Sequence, residues 1–340
     1  MITLKGSPGS PYTRKMLSVL RYRHIPYRFI TGDRDDHGDM PPPKVRLLPI
    51  LYFPANEGGI ETVVDSTPII RRLEKEYPER KIVPENPVLR FLDYLLEDYA
   101  DEWLTKAMFH YRWHHDADIQ MAGNILPYWA NISASEEKVT ARRDRFTALQ
   151  ISRLYVVGSN HTTAPVIESA YQRFLEIFSR HLETYPYLMG NRPGASDFAT
   201  HGQLTSLAQF DPTPAALTAT YAPRVYAWVS LMEDRSGLEP TDGDWIPADN
   251  IPDTLLDLLT ELGRTYVPVM LANDAAFKNG SETVETTVDG LPWVQQTFPY
   301  QSRCLGWIRD QYETLSPQDQ NRIGNLLAGT GCEALFAKGT

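Results

Sequence analysis

Residues 2–30, ITLKGSPGSPYTRKMLSVLRYRHIPYRFI, contain the pattern from which the fold of the first part of this chain can be predicted. Its first residues predict a short strand that ends in a turn rich in Gly, Ser and Pro. Ser10 can cap a helix whose first residue is Pro11, where the missing N–H is harmless. Apolar residues at near-helical spacing follow as far as Arg23, and residues 25–30 predict a second strand. Strand, helix and strand in this order predict two parallel strands joined by a crossover.

Two further strands and a helix complete the first part of the chain. Residues 47–53 form an apolar run, and residues 60–64 are its predicted partner across a turn. Asp65–Pro68 has the composition of a helix start. The polar, proline-rich residues 31–44 are predicted to be a loop. The resulting order, βαβ followed by ββα, predicts an α/β thioredoxin-like domain over residues 1–82.

The rest of the chain is predicted to be mostly helical. We expect an all-α domain over residues 83–243 and a C-terminal extension over residues 244–340. The extension contains Asp289-Gly290 between two β-prone runs, a signal for a hairpin. The predicted helices span residues 88–115 (one long helix or a broken pair), 164–183, 196–209, 222–232, 252–277 (interrupted near Gly263 and Pro268), 302–312 and 317–327.

Composition excludes several classes of partner. The net charge is −10, which disfavours nucleic acid and anionic membranes. The two cysteines are too few for a disulfide framework and fit no metal motif. The N-terminus has no basic segment followed by an apolar run, so no signal peptide is predicted. A cytoplasmic protein is the expectation.

Three motifs in the first domain could bind a ligand or take part in catalysis. A hydroxyl at Ser10 faces a helix N-terminus, which favours a bound thiolate and lowers the pKa of a bound thiol. Leu48-Pro49, if cis, turns the Leu48 backbone outward to pair with a peptide ligand. Asp65-Ser66 offers a carboxylate for an ammonium group and backbone N–H groups for a carboxylate. Each motif also has a purely structural explanation: Ser10 and Asp65 cap helices, and Pro49 is a trans edge-strand proline.

Together these motifs resemble the glutathione transferase family. Ser7–Lys15 is similar to the active-site turn of its serine-type members, and Leu48-Pro49 matches the family's cis-proline. Asp65–Ile70 matches its γ-glutamyl motif, and Leu188–Phe198 resembles a turn and helix start of its helical domain. The resemblance covers about residues 1–235 and leaves the extension unmatched.

The resemblance implies roles for individual residues. Ser10 would stabilise the glutathione thiolate, with the Tyr12 hydroxyl as the alternative. Leu48 and Pro49 would bind the cysteinyl backbone, Asp65 and Ser66 the γ-glutamyl end, and Lys44 the glycine carboxylate. Members that work by thiol exchange have cysteine where this chain has Ser10, so glutaredoxin-like chemistry is disfavoured.

A second group of candidates lies on the predicted helix 88–115. His110, Trp113 and His114 are expected to line the second-substrate cleft, unless they form a solvated aromatic-basic face. His110 and His114 have the i, i+4 spacing of metal ligands on a helix, but no motif fixes a third ligand. We therefore expect no metal.

The function expected from the sequence is conjugation of glutathione, the co-substrate, to a small electrophile by a homodimeric transferase. Glutathione-dependent isomerisation, reductive dehalogenation or ether cleavage stays open, because the electrophile site is built from scattered helical residues. A binding or assembly protein without conjugating activity is the alternative, since fold alone does not imply activity.

Overall fold

A computed structural model of the chain describes residues 1–32, 37–55 and 58–337. The predicted acidic loop and the turn between the third and fourth strands therefore lie partly outside the described residues. No helix within the described ranges is long and apolar enough to cross a membrane.

The first part of the chain is a four-stranded mixed sheet with two helices. Strand β1 pairs with β2 in parallel and with β3 antiparallel, and β4 pairs antiparallel with β3, giving the order β2-β1-β3-β4. This confirms the predicted thioredoxin-like arrangement. The elements are β1 (Ile2–Lys5), α1 (Pro11–Tyr22), β2 (Tyr27–Ile30), β3 (Ile50–Pro54), β4 (Ile60–Val64) and α2 (Ser66–Glu76).

Strand β3 begins three residues later than predicted. The sequence placed its start at residue 47, but the ladder starts at Ile50, directly after Pro49. Proline has no N–H to donate to a neighbouring strand, so the pairing starts behind it. The Leu48–Pro49 peptide bond is cis.

Helices dominate the chain from Pro87 onwards, as expected. The predicted helix 88–115 is α3, a π-helical segment (Ala100–Leu104) and α4 in direct succession, and it ends where His115 is extended. A second π-helical segment, Thr205–Phe210, follows α8. The helices are α3 (Pro87–Tyr99), α4 (Thr105–His114), α5 (Asp116–Ala130), α6 (Glu136–Ile151), α7 (Ala164–His181), α8 (Ala195–Leu204), α9 (Pro212–Tyr221) and α10 (Pro223–Met232).

The extension is mostly helical with one hairpin, which confirms that prediction. Asp289 and Gly290 both have positive φ, 52° and 74°, as a tight two-residue hairpin turn requires. The elements are α11 (Asp253–Arg264), α12 (Tyr266–Lys278), β5 (Thr283–Val288), β6 (Leu291–Gln296), α13 (Pro299–Glu313) and α14 (Pro317–Leu327). The division at residues 82 and 243 stays a prediction.

The extension packs on the helical part. Arg173 of α7 donates two hydrogen bonds, 2.8 and 2.9 Å long, to the buried carboxylate of Glu261 on α11. The ring of Trp293 on β6 lies 5.5 Å from that of Trp103, centre to centre. Phe91 of α3 makes an edge contact with Tyr312 of α13. These contacts hold the extension against α3, the π-helical segment and α7.

Candidate active site

Ser10 lies at the start of α1, in the turn that follows β1. It is half-buried, and its Oγ accepts a hydrogen bond from the Thr13 N–H at 3.3 Å. Pro11 is the first residue of the helix. Because the hydroxyl serves the helix as an acceptor, its own proton is left to donate to an anion such as a thiolate.

The turn before Ser10 is held from the helical side. The Arg112 guanidinium, which is paired with the buried Asp211 carboxylate, donates to the Gly9 carbonyl at 3.0 Å. A Cβ at position 9 would lie 2.5 Å from Leu126 and 2.8 Å from Trp129 of α5. Only glycine fits this approach, so α5 rests directly on the turn.

The Tyr12 hydroxyl is directed at the π-helical segment. It donates to the Asp101 carbonyl at 2.8 Å and lies 3.4 Å from Thr105 Oγ1. Burial, followed by the charge of the Asp101 carboxylate, raises the Tyr12 pKa well above its ordinary value. The phenol therefore stays neutral and bonded to the helical domain.

Asp65 caps α2 in a strained conformation. Its φ is +78°, a value that side-chain-bearing residues rarely adopt, and its Oδ1 accepts from the Thr67 N–H at 3.3 Å. Backbone strain of this kind collects at functional sites. Ser66, buried, is the first residue of the helix. The Asp65 carboxylate and the N-terminal N–H groups of α2 therefore lie side by side.

A residue of the extension reaches the same carboxylate. The Tyr300 hydroxyl on α13 donates to Asp65 Oδ2 at 2.7 Å. Burial, and then the charge of Asp65, raise the pKa of Tyr300, so the phenol is a donor at neutral pH. The two residues are 235 positions apart. No sequence motif signals this contact.

A cleft of about 910 Å³ opens between the sheet domain, the helices and the extension. Of the predicted ligand-binding residues, Tyr12, Leu48, Asp65 and Ser66 line it, whereas Ser10, Lys44 and Pro49 do not. Lys44 is exposed. Other lining residues are Tyr94, Asp98, Asp101, Glu102 and Lys106 from the helical part and Phe298, Tyr300, Cys304 and Trp307 from the extension.

The inner end of the cleft is acidic. Burial raises the pKa of Asp98 to about 7 and that of Asp101 to about 6. Burial lowers the pKa of Lys106, one helical turn further, to about 8. The sheet-domain side carries cations instead: Arg71, Arg72 and Lys75 of α2. The lining of the cleft therefore contains both carboxyl groups and cations.

A buried ion network lies beneath this site, and sequence reasoning missed it. Lys15 of α1 contacts Glu97 at 2.8 Å and Asp101 at 2.7 Å, and Arg71 of α2 contacts Glu97 at 2.7 Å. Burial opposes ionisation of Glu97, but Lys15 and Arg71 hold its pKa below the ordinary value. The signal was available: Asp93, Glu97 and Asp101 recur every four residues in a segment whose other residues, apart from Asp98, are apolar or aromatic.

The structure places His110, Trp113 and His114 away from the lining of this cleft. His110 is fully buried, and its ring nitrogens contact Ser159 Oγ at 2.8 Å and Glu168 Oε1 at 3.1 Å. Burial lowers the pKa of His110 to about 4, so the ring is neutral at neutral pH. Trp113 packs on Phe146 of α6, and the His114 ring stacks on His110.

Comparison with known proteins gives one family match. Residues 4–81 match the family model of the glutathione S-transferase N-terminal domain. No curated protein matches the chain.

Several solved structures are similar to the chain. A glutathione S-transferase from Methylobacterium radiotolerans, in complex with glutathione sulfonate, is 20% identical, with 72% of this chain and 94% of that one covered and a TM-score of 0.41. The beta-etherase LigF from Sphingobium is 15% identical, with 69% of this chain and 95% of that one covered and a TM-score of 0.47. FzlA from C. crescentus is also 15% identical, with 69% of this chain and 88% of that one covered and a TM-score of 0.44.

Proposed function

We propose that this chain, whose residues 4–81 form an N-terminal domain of the glutathione S-transferase family, binds glutathione as the thiolate and transfers it to a small electrophile. The observation that carries the proposal is the site at the start of α2. There the Asp65 carboxylate and the N-terminal N–H groups of the helix border a cleft large enough for a tripeptide and a second molecule.

The γ-glutamyl group suits that site because it carries an ammonium and a carboxylate on one carbon. The ammonium would pair with Asp65, and the carboxylate would accept from the N–H groups around Ser66. The cysteinyl backbone would pair with Leu48 beside Pro49. Lys44, exposed on the loop before β3, would reach the glycine carboxylate.

Ser10 would provide the chemistry. A hydroxyl donor at the positive end of α1 stabilises a thiolate more than a thiol, which lowers the pKa of the bound thiol. Catalysis would then come from thiolate stabilisation and from holding the electrophile in position.

The electrophile would lie at the apolar part of the cleft. The apolar lining residues include Val156 and Val157 from the helical part and Phe298 and Trp307 from the extension. These residues, rather than His110, Trp113 and His114, border the open space. We further propose a cytoplasmic homodimer.

Replacement of Ser10 by alanine tests this mechanism. We expect S10A to lower kcat/KM for conjugation of a chromogenic aryl halide by about 100-fold, the loss typical of one stabilising donor, while glutathione affinity changes less than about threefold. S316A is the matched control, since Ser316 also caps a helix, accepting from Asp319 N–H at 3.2 Å. Loss of either cap lowers stability by about 1 kcal/mol. Equal activity of S10A and S316A would rule out Ser10 as the catalytic residue.

The Tyr300 contact favours a second candidate, a glutathione-transferase-like binding or assembly protein without conjugating activity. Its hydroxyl already bonds to the carboxylate that the ammonium would need. Calorimetric titration separates the two: no glutathione binding at millimolar concentration would exclude the transferase and leave the assembly function. Binding with turnover of any electrophile in a broad panel would exclude the second candidate.

A further inference from the structure

A cluster of metal-ligating side chains lies outside the glutathione cleft, where α4, α5 and α7 meet. It consists of His110 on α4, His115 between α4 and α5, and Glu168 on α7. One ligand atom from each of the three lies within 4.8 Å of the other two. The sequence pairs His110 with His114 by helical spacing. The structure instead pairs it with His115 and supplies a third group, Glu168, from a helix more than fifty residues away.

Two of the three distances between ligand atoms in this cluster are close to those of a tetrahedral metal site. Glu168 Oε1 lies 3.1 Å from His110 Nε2 and 3.3 Å from His115 Nε2. Zinc bonds of about 2.0–2.1 Å in a tetrahedron separate neighbouring ligand atoms by about 3.4 Å. The ligand nitrogens of the two imidazoles lie within 4.8 Å of each other, so the three groups surround a space for one ion.

Ordinary hydrogen bonding explains only part of the cluster. His110 can donate to Glu168, but His115 Nε2 is shielded from solvent and has no hydrogen-bond partner among the described residues. An orphaned buried nitrogen is costly. A metal ion bound to both rings and to Glu168 would satisfy it.

A further contact orients one ring for coordination. Ser159 Oγ lies 2.8 Å from His110 Nδ1. If Nδ1–H donates to this oxygen, the lone pair of Nε2 faces Glu168 and His115. Metal-binding histidines are held by such a bond at their second nitrogen.

We propose that His110, His115 and Glu168 form a site for a divalent transition metal, of which Zn²⁺ is the best match to two imidazoles and a carboxylate. The side chains of His115 and Glu168 are about a third exposed, 31% and 36%, so water can occupy the fourth position. The ion joins the α4–α5 junction to α7. The proposal differs from the sequence-based expectation that the chain has no metal.

Zinc titration of the untagged, chelator-treated full chain tests the proposal by calorimetry. We expect one Zn²⁺ per chain in the wild type. The apparent Kd should be at least about 100-fold higher in H115A and in E168Q, because loss of a group that only supports a ligand already lowers metal affinity by about 10–100-fold. Both residues are partly exposed, so these variants should fold, unlike a change at the fully buried His110. In the wild type, Zn²⁺ should also raise Tm.

H161A is the matched control. His161 is an exposed histidine whose ring centre lies 6.4 Å from that of His114, beside the cluster but outside the three ligands. We expect it to bind Zn²⁺ within about twofold of the wild type. The proposal is overturned if the wild type binds no zinc, if H115A and E168Q bind as the wild type does, or if H161A loses as much affinity as they do.

Discussion

Asp93 of α3 illustrates how burial controls a single ionisable group. Its Oδ1 accepts from Ser196 N–H at 3.0 Å and from Ser196 Oγ–H at 2.7 Å. Its Oδ2 is buried with no partner among the described residues. Burial and then the charge of Glu97 raise the pKa of Asp93 to about 7. The folded protein therefore holds a proton that the unfolded chain releases near pH 4.

The first prediction concerns the pH dependence of stability. Because the pKa of Asp93 is higher in the folded protein than in the unfolded chain, its protonation stabilises the folded state. This contribution is complete below about pH 4 and is lost as the pH rises through about 7. Between pH 5 and 7.5 the free energy of unfolding of the wild type should fall by about 2 kcal/mol more than that of D93N, because D93N has no proton to lose there. Urea unfolding at several pH values measures both slopes.

The difference between the two slopes isolates Asp93, since Asp98 and Asp101 titrate in both proteins. D249N, at an exposed acidic residue, is the control and should follow the wild-type slope. If D93N keeps the wild-type slope, Asp93 is ionised in the folded protein at pH 5.

At the scale of elements, α1 and α3 are joined by a charge pair rather than by apolar contact alone. Lys15 and Glu97 each have side chains only 1% exposed. Removal of Lys15 takes the salt-bridge cation from the Asp101 carboxylate and leaves Glu97 with Arg71 alone, and breaking a buried ion pair in this way costs about 3–5 kcal/mol. We therefore expect K15M to lower the free energy of unfolding by about 3 kcal/mol or more, measured by urea denaturation.

A surface pair provides the comparison for K15M. Lys81 and Glu85 also form a salt bridge, 3.1 Å long, but both side chains are exposed to solvent. Such pairs contribute less than about 0.5 kcal/mol, so K81M should be nearly neutral. Similar effects of K15M and K81M would mean that the network beneath the cleft does not hold the domains together.

The elements that the sequence predicts are those with strong local signals. Ser10 and Pro11 start α1, and Asp289-Gly290 forms the hairpin turn, because capping and turn geometry depend on neighbouring residues. Helix α6 was not predicted: of its described residues only Val139 is buried, so it has no apolar periodicity.

Long-range contacts escaped sequence reasoning for a different reason. Tyr300 meets Asp65, and Glu168 meets His110, only because separate helices pack together. No sequence motif contains both residues of either pair. The candidate site could therefore be predicted on the thioredoxin-like side, where three motifs lie in order, but not on the side that the extension provides.

At the scale of the whole molecule, the extension is a third wall of the cleft. Tyr300 bonds to Asp65 in the sheet domain, and Gln295 of β6 accepts from Lys106 of α4 at 3.3 Å. Residues from all three parts of the chain line the cleft. We therefore expect bound glutathione to slow hydrogen exchange in the extension as well as in the thioredoxin-like domain.

Hydrogen exchange with and without glutathione measures this response. We expect slower exchange in residues 298–311 of the extension as well as in residues 65–71, because both line the cleft, and no change in α14, which does not line it. D65N is the control: asparagine tolerates the left-handed backbone and can still accept the Thr67 bond, but it lacks the charge for the ammonium. Protection should disappear from both segments in D65N at the same glutathione concentration. Protection of residues 65–71 alone would mean that glutathione binds without contact to the extension, and that Tyr300 leaves Asp65 when the ligand arrives.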